Sequence, residues 1–164
     1  MTVNPVGVLV QRGAGLYVGG VATTYTSILV HCIFSTKHRE PIITPEVEPD
    51  LSAYIGGICR AHGSSLLDAG GTVDHLHLLI SMGKMISIAD LMQQVKRDTS
   101  VWIKAKGDEF GAFRWQDGYA AFSIGQSQVG ALRRYIARQK EHHRTVSFRE
   151  ELVEFLKRYR VPFE

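Results

Sequence analysis

Two histidines separated by one residue stand in a strongly apolar stretch of the chain, Asp74-His-Leu-His-Leu-Leu-Ile80. Side chains alternate across a strand, so His75 and His77 would project from the same face with their bases about 7 Å apart. Two imidazoles placed in this way can reach one metal ion at about 2.0 to 2.2 Å. The motif therefore predicts a metal site on a rigid strand. Two exposed histidines on a solvated strand face are the alternative interpretation.

A tyrosine and a glutamine one helical turn apart form the second candidate group. Tyr135 and Gln139 occupy positions i and i+4 of a segment with helical spacing, and therefore share a face. A phenol with a pKa of about 10 needs help to attack a phosphate at neutral pH, and a metal that polarises the phosphate would supply it. A nucleophilic tyrosine is one interpretation. A tyrosine that only packs beside Leu132 and Ile136 is the other.

Basic residues are only slightly in excess over the whole chain, which has a formal net charge of +3. Their distribution is uneven, with one cluster from Arg133 to Arg144 and a second from Lys96 to Lys106. Each cluster fits a phosphate-binding surface as well as it fits a solvated helix face. The charge therefore permits a nucleic-acid partner without requiring one.

The elements that must position these residues can be inferred from hydrophobic periodicity and from turn residues. In chain order they are a strand at 26–35, a helix between Pro45 and Gly63, strands at 66–69 and 73–81 joined at Gly70-Gly71, a long helix capped by Ser87, a strand-like region at 113–124, and helices at 129–143 and 148–159. This order predicts an α+β fold, a ferredoxin-like antiparallel sheet with its helices on one face. The second face of such a sheet would be free for a ligand.

The order of these motifs resembles the HUH-type single-tyrosine transposases of small bacterial insertion sequences, the REP-associated proteins among them, and their domesticated relatives. Beside the His-hydrophobe-His strand and the Tyr-Ile-x-x-Gln helix, three longer stretches carry the resemblance: 30–41, 115–123 and 135–143. It extends from about Tyr25 into the C-terminal region. We therefore expect one transposase domain at residues 24–164, preceded by an N-terminal extension at residues 1–23.

The resemblance implies a role for each of four residues. His75 and His77 match the metal-binding pair, and Gln139 matches a third ligand of a Mg²⁺ or Mn²⁺ ion. Tyr135 matches the nucleophile that attacks a DNA phosphodiester and keeps the 5′ phosphate as a phosphotyrosine. Single-stranded or hairpin DNA is the implied substrate, and a homodimer is the implied assembly. The neighbouring His142 and His143 also match the pattern, but only structural contacts or a helix C-terminal charge effect can be suggested for them.

Five basic residues are candidate phosphate contacts on that DNA: Lys37, Arg39, Lys96, Arg97 and Arg138. Two other functions stay open at this point. One is a metal phosphoesterase without a covalent step, and the other is a non-enzymatic single-strand binding module. A binding module usually stacks bases on sheet aromatics, and the strand at 73–81 contains none.

The cellular location is predicted from two absences in the sequence. Cys32 and Cys59 form no CxxC pair, which fits a reducing cytoplasm. No apolar run approaches the roughly 20 residues that a membrane span needs. We therefore expect a cytoplasmic protein without membrane association.

Overall fold

The computed structural model describes residues 24–163, and the predicted extension at residues 1–23 lies outside them. The chain forms β1 (Leu29–Ser35), α1 (Glu48–Ala61), β2 (Ser65–Gly71), β3 (His75–Ser81), α2 (Ile88–Lys104), β4 (Ala120–Ile124), α3 (Val129–Ala137), α4 (Gln139–His142) and α5 (Phe148–Arg158). The strands make one four-stranded sheet in the order β2-β3-β1-β4. All neighbouring strands are antiparallel. The predicted α+β ferredoxin-like fold is confirmed.

One face of the sheet packs against α1 and α2 and forms the main hydrophobic core. Alternate residues of β3, namely Leu76, Leu78 and Ile80, are fully buried there. The Ser87 side chain accepts a hydrogen bond from the Asp90 backbone at 3.0 Å, and this cap starts α2 at the residue after Ser87, as predicted. Burying one such leucine contributes roughly 1.5–3 kcal/mol, so this face accounts for much of the stability.

The second face of the sheet is covered as well, and the expectation that it is free for a ligand is wrong. Leu79 of β3 packs against Leu132 and Ile136 of α3. Phe155 of α5 packs against Ile33 and Phe122 on β1 and β4. The apolar stripes of α3 and α5 need a surface on which to bury, and this side of the sheet provides it.

The turn between β2 and β3 differs from the predicted Gly70-Gly71 turn. Both glycines lie inside β2, and the chain reverses at residues 72–74. A Cβ atom at Gly70 would come within 2.9 Å of the Ile136 side chain and 3.1 Å of the Ile136 carbonyl oxygen. Gly70 therefore permits a close approach by α3, and Gly71 permits a close approach by the backbone of His75 on β3.

The single helix predicted at 129–143 is divided. Arg138 leaves helical geometry, with φ −99° and ψ 10°, and separates α3 from the short α4. Gln139, at the start of α4, is nevertheless buried under the second face of the sheet. None of the helices between residues 24 and 163 combines the length and the apolarity that a bilayer crossing requires.

Candidate metal and nucleophile site

The two histidines of β3 lie on the second face of the sheet and are completely buried. The interpretation of two solvent-exposed histidines is therefore wrong. His75 Nδ1 is 2.8 Å from an Asp74 carboxylate oxygen and 2.8 Å from the Thr72 hydroxyl oxygen. A ring that donates its Nδ1 proton to a carboxylate keeps its Nε2 lone pair available as a ligand. The His75 Nε2 atom points toward α4 and α5.

Asp74 is in turn held by Arg39. The guanidinium of Arg39 donates to one Asp74 oxygen at 2.7 and 3.0 Å, and it lies 4.1 Å from the centre of the Phe148 ring. Burial raises the pKa of the Asp74 carboxyl, but hydrogen bonds from His75, Arg39 and Thr72 outweigh it and hold the pKa well below its usual range. Asp74 is therefore an anion that orients His75.

His77 is oriented by a third histidine, His31 of β1, for which no role was predicted from the sequence. His31 Nε2 lies 2.9 Å from His77 Nδ1, and the two rings stack with their centres 5.1 Å apart. Burial, and after it the neighbouring His77, lower the pKa of His31 to about 3, although the Glu151 carboxylate opposes the shift. His31 is therefore neutral and can accept the Nδ1 proton of His77, which leaves His77 Nε2 facing the site. The sequence contained one indication of this role: His31 is two residues from Ile33 in β1, so both side chains lie on the same face of the sheet.

Tyr135 and Gln139 reach the same place from α3 and α4. Gln139 Oε1 is 3.1 Å from His75 Nε2, and the Tyr135 ring centre is 5.9 Å from that of His77. The four residues singled out by their motifs, His75, His77, Tyr135 and Gln139, are thus brought together within one chain. The division of the helix at Arg138 does not separate the tyrosine from the glutamine.

Glu151 of α5 stands at the centre of this group, and sequence reasoning missed it. Its carboxylate accepts hydrogen bonds from the Tyr135 hydroxyl and from Gln139 Nε2, the latter at 2.9 Å. Its second oxygen is 3.4 Å from His77 Nε2 and 3.2 Å from His143 Nε2. Glu151 is only 2% exposed. The available signal was an acidic residue one turn before Phe155 on the apolar stripe of α5.

These contacts set the protonation of the tyrosine and of the glutamate in opposite directions. Burial raises the pKa of the Tyr135 hydroxyl above its ordinary value, and the Glu151 carboxylate raises it further. Burial also raises the pKa of Glu151, but His77, Tyr135 and Gln139 outweigh it and leave the pKa well below normal. The resting site therefore contains a protonated tyrosine beside an ionised glutamate.

The cluster fits a divalent cation. One potential ligand atom each from His75, His77, His143 and Glu151 lies within 4.8 Å of the others. His77 Nε2 is buried without a hydrogen-bond partner in the described part of the chain. Imidazole and carboxylate groups are common ligands of divalent transition-metal ions. A cation bound between this nitrogen and the buried carboxylate would give both of them a partner.

The five predicted phosphate contacts are not gathered at one point. Lys37 pairs with Asp117 at 2.9 Å, and Arg97 pairs with the adjacent Asp98 at 2.7 Å. Lys96 donates to the carbonyl oxygens of Gln116 and Gly118 at 2.6 and 2.7 Å. Lys96 and Arg97 are on α2, across the sheet from the histidines.

Two of the five predicted contacts border the site. Arg39 approaches it through Asp74, and Arg138 is exposed in a groove of about 450 Å³ that Tyr135 and Arg134 also line. These two arginines are the members of the set whose charge lies beside the histidine cluster.

Comparison with known proteins agrees with the fold. Residues 24–139 match the family model described as IS200-like transposase. The chain is 22% identical over 116 residues to the ISDra2 transposase TnpA of Deinococcus radiodurans, covering 68% of this chain and 83% of that protein. It is 23% identical over 126 residues to the transposase for insertion sequence element IS200 of Salmonella typhimurium, covering 74% and 82%.

Two solved structures share the fold. A putative transposase from Deinococcus radiodurans R1 superposes with a TM-score of 0.56 at 21% identity, covering 74% of this chain and 96% of that one. A REP-associated tyrosine transposase bound to a REP hairpin gives 0.56 at 11% identity, covering 78% and 76%. Because the family match spans most of the chain and includes the strand histidines, the tyrosine and the glutamine, this chain belongs to the IS200-like, HUH-type single-tyrosine transposases, enzymes that act on DNA with a divalent metal.

Proposed function

We propose that this transposase cleaves and rejoins single-stranded DNA through a 5′-phosphotyrosine on Tyr135, with Mg²⁺ or Mn²⁺ bound by His75, His77 and Gln139. The observation that carries the proposal is the contact of Gln139 with His75, 3.1 Å, beside a tyrosine that lies against His77. A structural tyrosine would not need a buried amide oxygen and two buried imidazoles around it. Carboxamide oxygen and imidazole nitrogen are both acceptable ligands for Mn²⁺.

The reaction exchanges one phosphate ester for another. The Tyr135 oxygen forms a bond to phosphorus, the bond from phosphorus to the 3′ oxygen breaks, and that oxygen leaves as a 3′-hydroxyl after taking up a proton. The tyrosine proton departs along the hydrogen bond that already points to Glu151. Rejoining is the reverse attack by another 3′-hydroxyl. A bound divalent ion would polarise the phosphate and offset its negative charge.

The substrate is proposed to be single-stranded or hairpin DNA. The groove beside Tyr135, with Arg134 and Arg138 along it, offers positive charge where the reacting phosphate must approach. The other four predicted contacts, Lys37, Arg39, Lys96 and Arg97, are proposed to bind phosphates farther along the strand. The hairpin is supported by the solved relative of the same fold that carries one.

The active unit is proposed to be residues 24–164, with residues 1–23 as an extension that the chemistry does not use. The family resemblance supports a homodimer. Since Tyr135 already lies beside the histidines of its own chain, dimerisation is not needed to complete the site. Light scattering at micromolar protein should report the dimer mass, and a monomer mass would reject this part of the proposal.

The decisive experiment compares wild type with Tyr135→Phe. Labelled single-stranded oligonucleotides from the genomic flanks of the gene are incubated with each protein and Mn²⁺ or Mg²⁺, and resolved on a denaturing gel. Wild type should give a covalent protein–DNA adduct and a cleaved strand, and Tyr135→Phe should give neither. The substitution removes one oxygen and keeps the ring that packs beside Leu132, so folding should be retained.

Tyr119→Phe is the matched control, because Tyr119 is 40% exposed and belongs to the loop before β4. It should behave as wild type. An adduct that persists in Tyr135→Phe and maps to another tyrosine would reject the nucleophile. Normal cleavage by Tyr135→Phe without any adduct would instead establish the metal phosphoesterase.

A further inference from the structure

The surroundings of Glu151 contain more hydrogen-bond acceptors than protons. His143 Nδ1 lies 2.7 Å from the Val146 carbonyl oxygen, an acceptor, so the ring proton is on Nδ1 and Nε2 is bare. The bare Nε2 nevertheless faces a Glu151 oxygen at 3.2 Å. Two acceptors at this distance repel each other unless something positive lies between them.

The same mismatch occurs at His75. Its Nδ1 is hydrogen-bonded to Asp74, which leaves Nε2 bare, yet Nε2 is 3.1 Å from the Gln139 amide oxygen. That oxygen is assigned by its partner, because the Gln139 nitrogen donates to Glu151 at 2.9 Å. A second contact between acceptors therefore lies beside the Glu151 carboxylate.

The distances suit a shared ion. Two ligands bound at about 2.1 Å to one metal are at most about 4.2 Å apart. The relevant separations from Glu151 Oε2 are 4.0 Å to His75 Nε2, 3.4 Å to His77 Nε2 and 3.2 Å to His143 Nε2. Hydrogen bonds from Tyr135 and Gln139 satisfy Oε1 of Glu151, whereas Oε2 faces only imidazole nitrogens, and one divalent ion would give Oε2 and those nitrogens a common partner.

We propose that Glu151 and His143 are also ligands of the metal, and that they complete the coordination begun by His75, His77 and Gln139. The inference rests on the proposed metal-dependent function and extends it. Both residues lie beyond the 24–139 segment that the family model matches. The last part of the chain thus supplies a metal-binding arm, and the Glu151 oxygen that accepts from Tyr135 holds the nucleophile next to the ion.

This ligand set has a consequence for the choice of metal. With three imidazoles beside one carboxylate and the Gln139 amide oxygen, the set offers more nitrogen than Mg²⁺ accepts, since Mg²⁺ prefers oxygen ligands and retains several waters. Mn²⁺ tolerates imidazole nitrogen. The intact site should therefore bind Mn²⁺ more tightly than Mg²⁺.

The test measures metal binding and not catalysis. Full-length protein freed of metal is titrated with MnCl₂ by calorimetry, and pulsed electron paramagnetic resonance counts the imidazole nitrogens on the bound Mn²⁺. Glu151→Gln should lower the Mn²⁺ affinity by at least about tenfold, because even residues behind the ligands cost about 10–100-fold when replaced. Wild type should show three coordinated imidazoles, and His143→Gln should show two.

Glu154→Gln and His38→Gln are the controls, since both side chains are exposed, and both should bind Mn²⁺ as wild type does. Circular dichroism checks that each variant folds, and His143→Gln decides the matter by its nitrogen count if Glu151→Gln does not fold. Unchanged affinity in Glu151→Gln, or two imidazoles in wild type, would overturn the inference.

The outcomes also separate this inference from the function beneath it. If Glu151→Gln binds Mn²⁺ normally while His77→Ala does not, the inference fails and the proposed function stands. If wild type binds no divalent ion, both fail. Faster cleavage by Glu151→Gln at unchanged Mn²⁺ affinity would make Glu151 an obstruction, which also overturns the inference.

Discussion

The two faces of β3 are equally buried but have different roles. Leu76, Leu78 and Ile80 face α1 and α2, and Leu79 with the two histidines faces α3 and α5; all six are 0% exposed. Burial alone therefore does not distinguish core from site. The difference lies in what each group contacts, since the first three meet hydrocarbon and the histidines meet carboxylates, an amide and another imidazole.

The contrast has an energetic side. On the hydrophobic face, a smaller side chain leaves a cavity and lowers the free energy of unfolding. On the histidine face, buried polar groups are retained although apolar replacements of similar volume can be as stable or more so. Substitutions of the two histidines should therefore reduce activity much more than they reduce the free energy of unfolding.

The largest expected effect is on catalysis. His75→Ala and His77→Ala should each reduce DNA cleavage to background in the denaturing-gel assay, because each removes an atom that would bind the ion. Circular dichroism and gel filtration should show a folded protein. A variant that cleaves at the wild-type rate under saturating substrate would remove that histidine from the metal site, and with it the contrast between the faces.

The next effect is on stability and belongs to the hydrophobic face. Leu78→Ala should lower the free energy of unfolding by about 2–5 kcal/mol, measured by urea denaturation, because the residue is fully enclosed. Leu78→Met, which keeps the volume, should cost less than about 1.5 kcal/mol. Below the melting transition both should still form the adduct. Loss of the adduct in folded Leu78→Met would show that the two faces are not separable.

A smaller effect is expected behind the metal ligands. His31→Phe keeps a buried ring but removes the nitrogen that orients His77, so Mn²⁺ affinity measured by calorimetry should fall about 10–100-fold. His38→Gln, also a histidine but exposed, is the matched control. Wild-type affinity in His31→Phe would mean that Glu151 alone fixes the His77 ring.

The smallest effect concerns the groove on the histidine side. Arg138→Gln should weaken binding to a single-stranded oligonucleotide and reduce the slope of log affinity against log salt by about 0.7, the contribution of one phosphate. Lys104→Gln removes an exposed lysine at the end of α2 that is not among the proposed phosphate contacts, and it should leave the slope unchanged. Equal changes in the two variants would mean that the strand does not run past Tyr135.

The sequence predicted what local patterns control. Alternation gave the strands and the shared face of His75 and His77, and the cap at Ser87 gave the start of α2. It did not predict that α3 and α5 cover the second face, because periodicity shows which residues share a face and not which element packs on it. Glu151 was missed for the same reason, since nothing near it along the chain identifies the histidines of β3 as its partners.

The glycine beneath α3 limits how far that helix can shift relative to the sheet. At Gly70 a hydrogen stands where any other residue would carry a carbon, and that carbon would meet Ile136, the neighbour of Tyr135. Since a misplacement of about 1 Å can change a rate by about a hundredfold, the thickness of one methyl group is enough to put the tyrosine oxygen out of reach of its target. The lack of a side chain at Gly70 therefore sets how closely α3 packs on β2, and with it the position of Tyr135.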